Sequence, residues 1–191
     1  MQLTTTLNRI KAHNPCSDGW RKLLKYLGKT IADDEPLPFS SILDSNGLED
    51  ALWCCRTAPE HNRVWRLYAL WCARQIQRLM TDPRSLDALD VTERHANGQA
   101  TDEELSTAWI AAKDAWEAVE TVKETRGARG AGAAAQAAAW VTAKDICEAT
   151  GVASHAAAWA TEAIAWTNIL AARETAQAAQ AVKFREMVSG G

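Results

Sequence analysis

The chain of 191 residues contains no run of 18 consecutive apolar residues, so no segment is expected to cross a membrane as a helix. Its first residues, Met1-Gln2-Leu3-Thr4-Thr5-Thr6, have no apolar core, and no signal peptide is expected. No stretch alternates convincingly between apolar and polar residues, so no sheet is expected. A basic excess is also missing. The net charge of -3 and pI of about 5.8 argue against a general nucleic-acid binder and are too mild for a strongly acidic DNA mimic. The five cysteines are an odd number without compact disulfide spacing, which leads to an expectation of reduced thiols and a cytoplasmic location. No G-x-S-x-G, P-loop or helical His pair is present to announce a reaction.

What the chain has is alanine and tryptophan. Ala fills 22 of the 52 positions from 131 to 182, and the nine Trp must supply much of the core's bulk. Trp109–Trp116, Trp140–Cys147 and Trp159–Trp166 are each seven residues apart, about two helical turns, so each pair shares a helix face. Alanine side chains let neighbouring helix axes approach to about 8 Å. These features predict an all-α, multi-helix bundle of about eight helices in antiparallel hairpins, with an Ala/Trp-rich C-terminal half.

Residues 1–28 read as an N-terminal helical segment, with Asn14 capping a helix that opens at Pro15 and stops at Gly28. Residues 29–45, with Pro36 and Pro38, read as a linker and turn. Residues 46–125 form a central helical part. Within it, Asp82-Pro83 starts one helix, and Thr101 with Glu104 forms a capping box for another. Residues 126–132, Arg-Gly-Ala-Arg-Gly-Ala-Gly, read as a break because glycine weakens a helix by about 1 kcal/mol. Residues 133–188 are the Ala/Trp-rich part, and 46–188 read as one domain.

Segment 60–80 is the most amphipathic. Val64, Trp65, Tyr68, Trp71, Cys72, Ile76 and Leu79 share one broad side, while Arg63, Arg66, Arg74 and Arg78 cluster on the other, with Leu67 and Leu70 between them. Four arginines could meet phosphate or an acidic protein; solvation, or pairing with Asp87, Asp90 and Glu93, is the plainer reading. With Trp109 and Trp116 they are the candidate partner-binding residues, since Trp and Arg are enriched at binding hot spots. Cys54, Cys55 and Cys72 with His61 or His95 fit no standard zinc spacing, so neither metal nor cofactor is expected. A Cys147–His155 pair is conceivable as a nucleophile and base, His155 half-buried, but a core Cys and a structural His are the simpler reading, and no catalytic residue is assigned.

The runs Arg66-Leu67-Tyr68-Ala69-Leu70-Trp71-Cys72-Ala73-Arg74, Asp82-Pro83-Arg84-Ser85-Leu86-Asp87-Ala88 and Asn97-Gly98-Gln99-Ala100-Thr101-Asp102-Glu103-Glu104-Leu105, followed by Ala-rich helices, resemble the immunity-protein domain of bacterial toxin–immunity systems. The chain is more similar still to that domain's Ala/Trp-repeat relatives on phages and prophages. The resemblance covers roughly residues 48–170; residues before 46 are similar only to the phage type. It implies a helical cytoplasmic protein that acts by binding another protein, with no catalytic motif to carry over. The expected function is a non-enzymatic inhibitor that occludes a bacterial partner, either a toxin or a defence complex in the manner of an anti-CRISPR. A small Cys/His enzyme and an oligomerising structural protein are the alternatives. Heptad-spaced Trp also allows a homodimer.

Overall fold

The computed structural model describes residues 2–120, 126–143, 151–152, 154–156, 158 and 169–190. The order is β1 (Thr4–Thr5), α1 (Leu7–Ala12), α2 (Ser17–Leu27), β2 (Leu37–Pro38), α3 (Phe39–Asn46), α4 (Leu48–Cys54), α5 (Asn62–Arg74), α6 (Pro83–Ala96), α7 (Asp102–Glu120), α8 (Arg126–Val141) and α9 (Ile169–Ser189). Short 3-10 turns lie at Cys55–Thr57, Pro59–His61 and Gln77–Leu79. The fold is an all-α multi-helix bundle.

Local signals set several boundaries. Asp82 caps α6 by accepting from Arg84 N at 2.9 Å, with Pro83 next in the chain. Thr101 Oγ1 accepts from Glu104 N at 3.2 Å while Thr101 N donates to Glu104 Oε2 at 2.8 Å, a reciprocal capping box. Gly28 closes α2 in the left-handed region at φ 67°, where a side chain would be strained. The start of α2 differs from expectation. Asn14 takes φ 54°, which asparagine tolerates, and the cap passes to Cys16, whose Sγ accepts from Gly19 N at 3.3 Å.

The absence of any sheet needs correcting. β1 and β2 pair antiparallel, with Thr4 opposite Pro38 and Thr5 opposite Leu37. Two-residue strands are too short to show a period. Phe39 N donates to Leu3 O, and Leu3 N donates to Val188 O at 2.8 Å, so the N-terminus is pinned between the start of α3 and the end of α9.

The core is centred on aromatics outside the Ala/Trp repeats. Phe39 of α3, Trp65 and Tyr68 of α5 and Phe184 of α9 are all at most 1% exposed. Trp65 stacks on Phe184 at 6.1 Å between ring centroids, Tyr68 meets Phe184 edge-on at 5.4 Å, and Phe39 lies 4.9 Å from Trp65. Leu3, Leu7, Ile10 and Leu23 join the same buried cluster. The segment read as 1–28 therefore shares its core with the 46–188 part. The stretch read as a linker, 29–45, contains β2 and most of α3, with Ile42 and Leu43 buried.

The expected break at 126–132 is instead the beginning of α8. Gly130 and Gly132 are buried, as are Ala133, Ala134, Ala135, Ala137, Ala138, Ala139 and Val141. α8 packs against α5, α6 and α7. A helix apolar on nearly every side belongs in the interior, and its packing outweighs the intrinsic cost of its glycines.

Candidate functional site

The expected arginine face is not a single face. α5 ends at Arg74, and the chain turns before the 3-10 turn at Gln77–Leu79, so Arg78 leaves the stripe. Arg74 reaches Asp90 at 2.9 Å and Glu93 at 2.6 Å. Arg63 donates from Nε to Ala96 O at 2.8 Å and from Nη2 to Asn97 Oδ1 at 3.0 Å, bridging α5 to the end of α6. Arg66 is buried, 6% exposed, and Nη1 donates to Val141 O at 2.9 Å and Ala143 O at 3.2 Å. It thus caps the C-terminal end of α8, where unsatisfied carbonyls and the helix dipole favour a cation. Burial pushes its pKa down, and Asp102 partly opposes that. Arg78 is exposed, and the structure gives it no polar partner among the described residues.

Three of the six expected binding residues do meet. Arg63, Arg66 and Trp109 line a groove of about 660 Å³ with Asn62, His95, Asp102, Ile110, Trp140 and Thr142. α5 and the end of α6 supply its basic side, α7 the outer aromatic wall, and α8 the floor near Thr142. Trp109 is 39% exposed and Ile110 55%, side by side on α7. Their exposure follows from helix geometry: Leu105, Ala112 and Ala115 turn inward, leaving Trp109 and Ile110 beyond the buried stripe. Trp116 is half-buried and stands outside the groove.

At the groove's rim His95 Nε2 lies 2.8 Å from Asp102 Oδ1, tying the end of α6 to the start of α7. His95 Nδ1 and Trp140 Nε1 are buried with no hydrogen-bond partner among the described residues. Ile110 and Trp140 are not among the six residues that the sequence marks for binding. Trp140 was visible only as a repeat member, and Ile110 only as an apolar residue next to Trp109.

Of the conceivable catalytic pair, only His155 lies among the described residues. Cys147, Trp159 and Trp166 lie outside them, and His155 is exposed instead of half-buried. Cys54, Cys55 and Cys72 are buried, and burial raises the Cys54 and Cys72 thiols to about 12. No group of three His, Cys, Asp or Glu side chains gathers in metal-binding geometry among the described residues. No helix there is long and apolar enough to cross a membrane. No family model, curated protein or solved structure matches the chain.

Proposed function

We propose that this is a non-enzymatic, helical protein-binding inhibitor that acts by steric occlusion, of the toxin-immunity or phage anti-defence type. The observation that carries the reading is the adjacent exposure of Trp109 and Ile110 beside a groove containing Arg63 and Arg66. Large apolar side chains cost little to desolvate and bury much area on association, and Trp and Arg dominate binding hot spots. The contact surface on this reading is the outer face of α7 with the groove. It keeps Arg63, Arg66 and Trp109 from the expected set, adds Ile110, and leaves out Arg74, whose charge is met within the chain. A rigid surface of this kind inhibits by covering what its partner needs, without chemistry of its own.

The test is affinity capture from the native host, with and without phage infection, using the wild-type chain and a Trp109→Ala/Ile110→Asp double variant. A partner retained by the wild type and reduced at least about tenfold by the variant supports the reading. Equal capture by a folded double variant removes this surface.

A further inference from the structure

The arginines of the groove differ from most others in the chain. Arg9, Arg21, Arg74, Arg84, Arg94 and Arg185 all pair with carboxylates. Arg63 and Arg66 hydrogen-bond only to carbonyl and amide oxygens among the described residues, and the Asp102 charge acts on Arg66 without a hydrogen bond. Arg66 holds its charge at 6% exposure, where a cation gains most from an anion. Among the described residues the one carboxylate lining the groove is Asp102, which bonds to His95 and also acts through its charge on Arg66. Among the described lining residues, two guanidinium charges thus stand against one carboxylate in a chain whose net charge is -3. The walls beside them are apolar: Trp109, Ile110 and Trp140.

We infer that the groove is a carboxylate slot, which takes an acidic side chain of the protein partner between the Arg63–Arg66 pair and the Trp109–Ile110 wall. The inference rests on the binding reading above and names the chemistry of the partner. The carboxylate sits against the groove side of Arg63 and Arg66. The apolar part of the same segment covers Trp109 and Ile110. A planar guanidinium suits this role because it can offer two parallel N–H groups to two carboxylate oxygens. A cationic segment meets repulsion there, and a purely apolar one leaves the arginines desolvated without a counter-charge.

The probe is 3-phenylpropionate, a carboxylate on an apolar body, titrated into the full ¹⁵N-labelled chain. The indole N–H signals of Trp109 and Trp140 are assigned with Trp109→Phe and Trp140→Phe variants. Saturable shifts of these indoles are expected, weakened at least about tenfold by Arg63→Gln, the loss expected for one charge-assisted hydrogen bond. Arg63 is exposed, and because it also bridges α5 to the end of α6, an unfolding midpoint for Arg63→Gln matching that of the wild type is required before its titration is read. The neutral 3-phenylpropanamide should bind at least about tenfold more weakly than the acid. No saturable shift, equal binding of the amide, an unaltered Arg63→Gln titration, or larger shifts from inorganic phosphate at equal concentration would each overturn the carboxylate assignment. The two readings can fail separately. Capture lost in the Trp109/Ile110 double variant, with no response to the carboxylate, leaves the surface standing and removes only its acidic specificity. Capture unchanged in that variant removes the surface itself.

Discussion

Arg66 shows how a residue can mislead when its spacing alone is considered. On a helical wheel it falls with Arg63 and Arg74, yet its partners are carbonyls 75 and 77 residues further along, beyond the reach of any local pattern. Arg66→Ala strands two carbonyls at the end of α8 and removes packed methylenes, and should cost about 2–4 kcal/mol in chemical denaturation. A loss below about 1 kcal/mol would mean that solvent serves those carbonyls equally well. The thiols permit a sharper comparison. Cys16 is exposed, whereas Cys54, Cys55 and Cys72 are buried, with Cys54 and Cys72 raised to about 12 by desolvation. At pH 8, alkylation followed by peptide mapping should label Cys16 in the native chain and reach the other three only after denaturant is added. Labelling of Cys72 at the Cys16 rate would contradict the buried face of α5. Arg9 and Glu60 form a bidentate pair at 2.7 and 2.9 Å, and the bond to Arg9 holds the Glu60 carboxyl down to about 2. Because folding lowers this carboxyl from an ordinary 4.5, its contribution is complete above that value and fades as pH falls toward 2. Both side chains are nearly half exposed, so screening limits the effect to under about 1 kcal/mol. The stability gap between wild type and Glu60→Gln should therefore be small at pH 7 and close as pH approaches 2. A gap that widens in acid would reverse the sign assigned to the pair.

Among the helices, the parts that could be read from sequence are those decided within one turn of chain. The Thr101–Glu104 box, the Asp82-Pro83 start and the Gly28 stop depend on neighbours two to four residues away, and they stand where their residue types place them. The start of α8 depends on packing instead. Its glycines argue for a loop in isolation, but Gly130 and Gly132 are buried with the alanines that follow, against α5, α6 and α7. The candidate site divides in the same way. Arg63, Arg66 and Trp109 could be named from their residue types, but their meeting with Trp140 needs α5, α7 and α8 in place. The closeness around α8 has a measurable consequence. Ala137 is fully buried, so Ala137→Leu has no empty space to fill and should cost about 1–3 kcal/mol or more through backbone displacement. Ala118→Leu, on an exposed position of α7, should change stability by no more than about 0.5 kcal/mol. Denaturant midpoints of the two variants compare interior with surface for the same added atoms. Equal effects would mean that α8 lies loosely among its neighbours.

The two ends of the chain are built into one core, and this sets how the molecule unfolds. The expected linker at 29–45 would have let the N-terminal helices open separately from the rest. Instead Leu3 N bonds to Val188 O, Phe39 touches both Trp65 and Phe184, and Leu7, Ile10 and Leu23 sit in the same buried cluster as α5. Phe184 is the piece of α9 that reaches all three aromatics from earlier helices. Truncating it should cost about 3–5 kcal/mol, the range for a fully buried phenylalanine. The loss should spread beyond α9, because no separate core remains to hold the N-terminal helices once this cluster loosens. Hydrogen exchange with peptide resolution separates the possibilities. In Phe184→Ala, peptides covering 7–27, 62–74 and 171–189 should lose protection together and by similar factors. If α9 alone loosens while α1, α2 and α5 keep their protection, the aromatic cluster is a local contact, and the N-terminal helices have stability of their own.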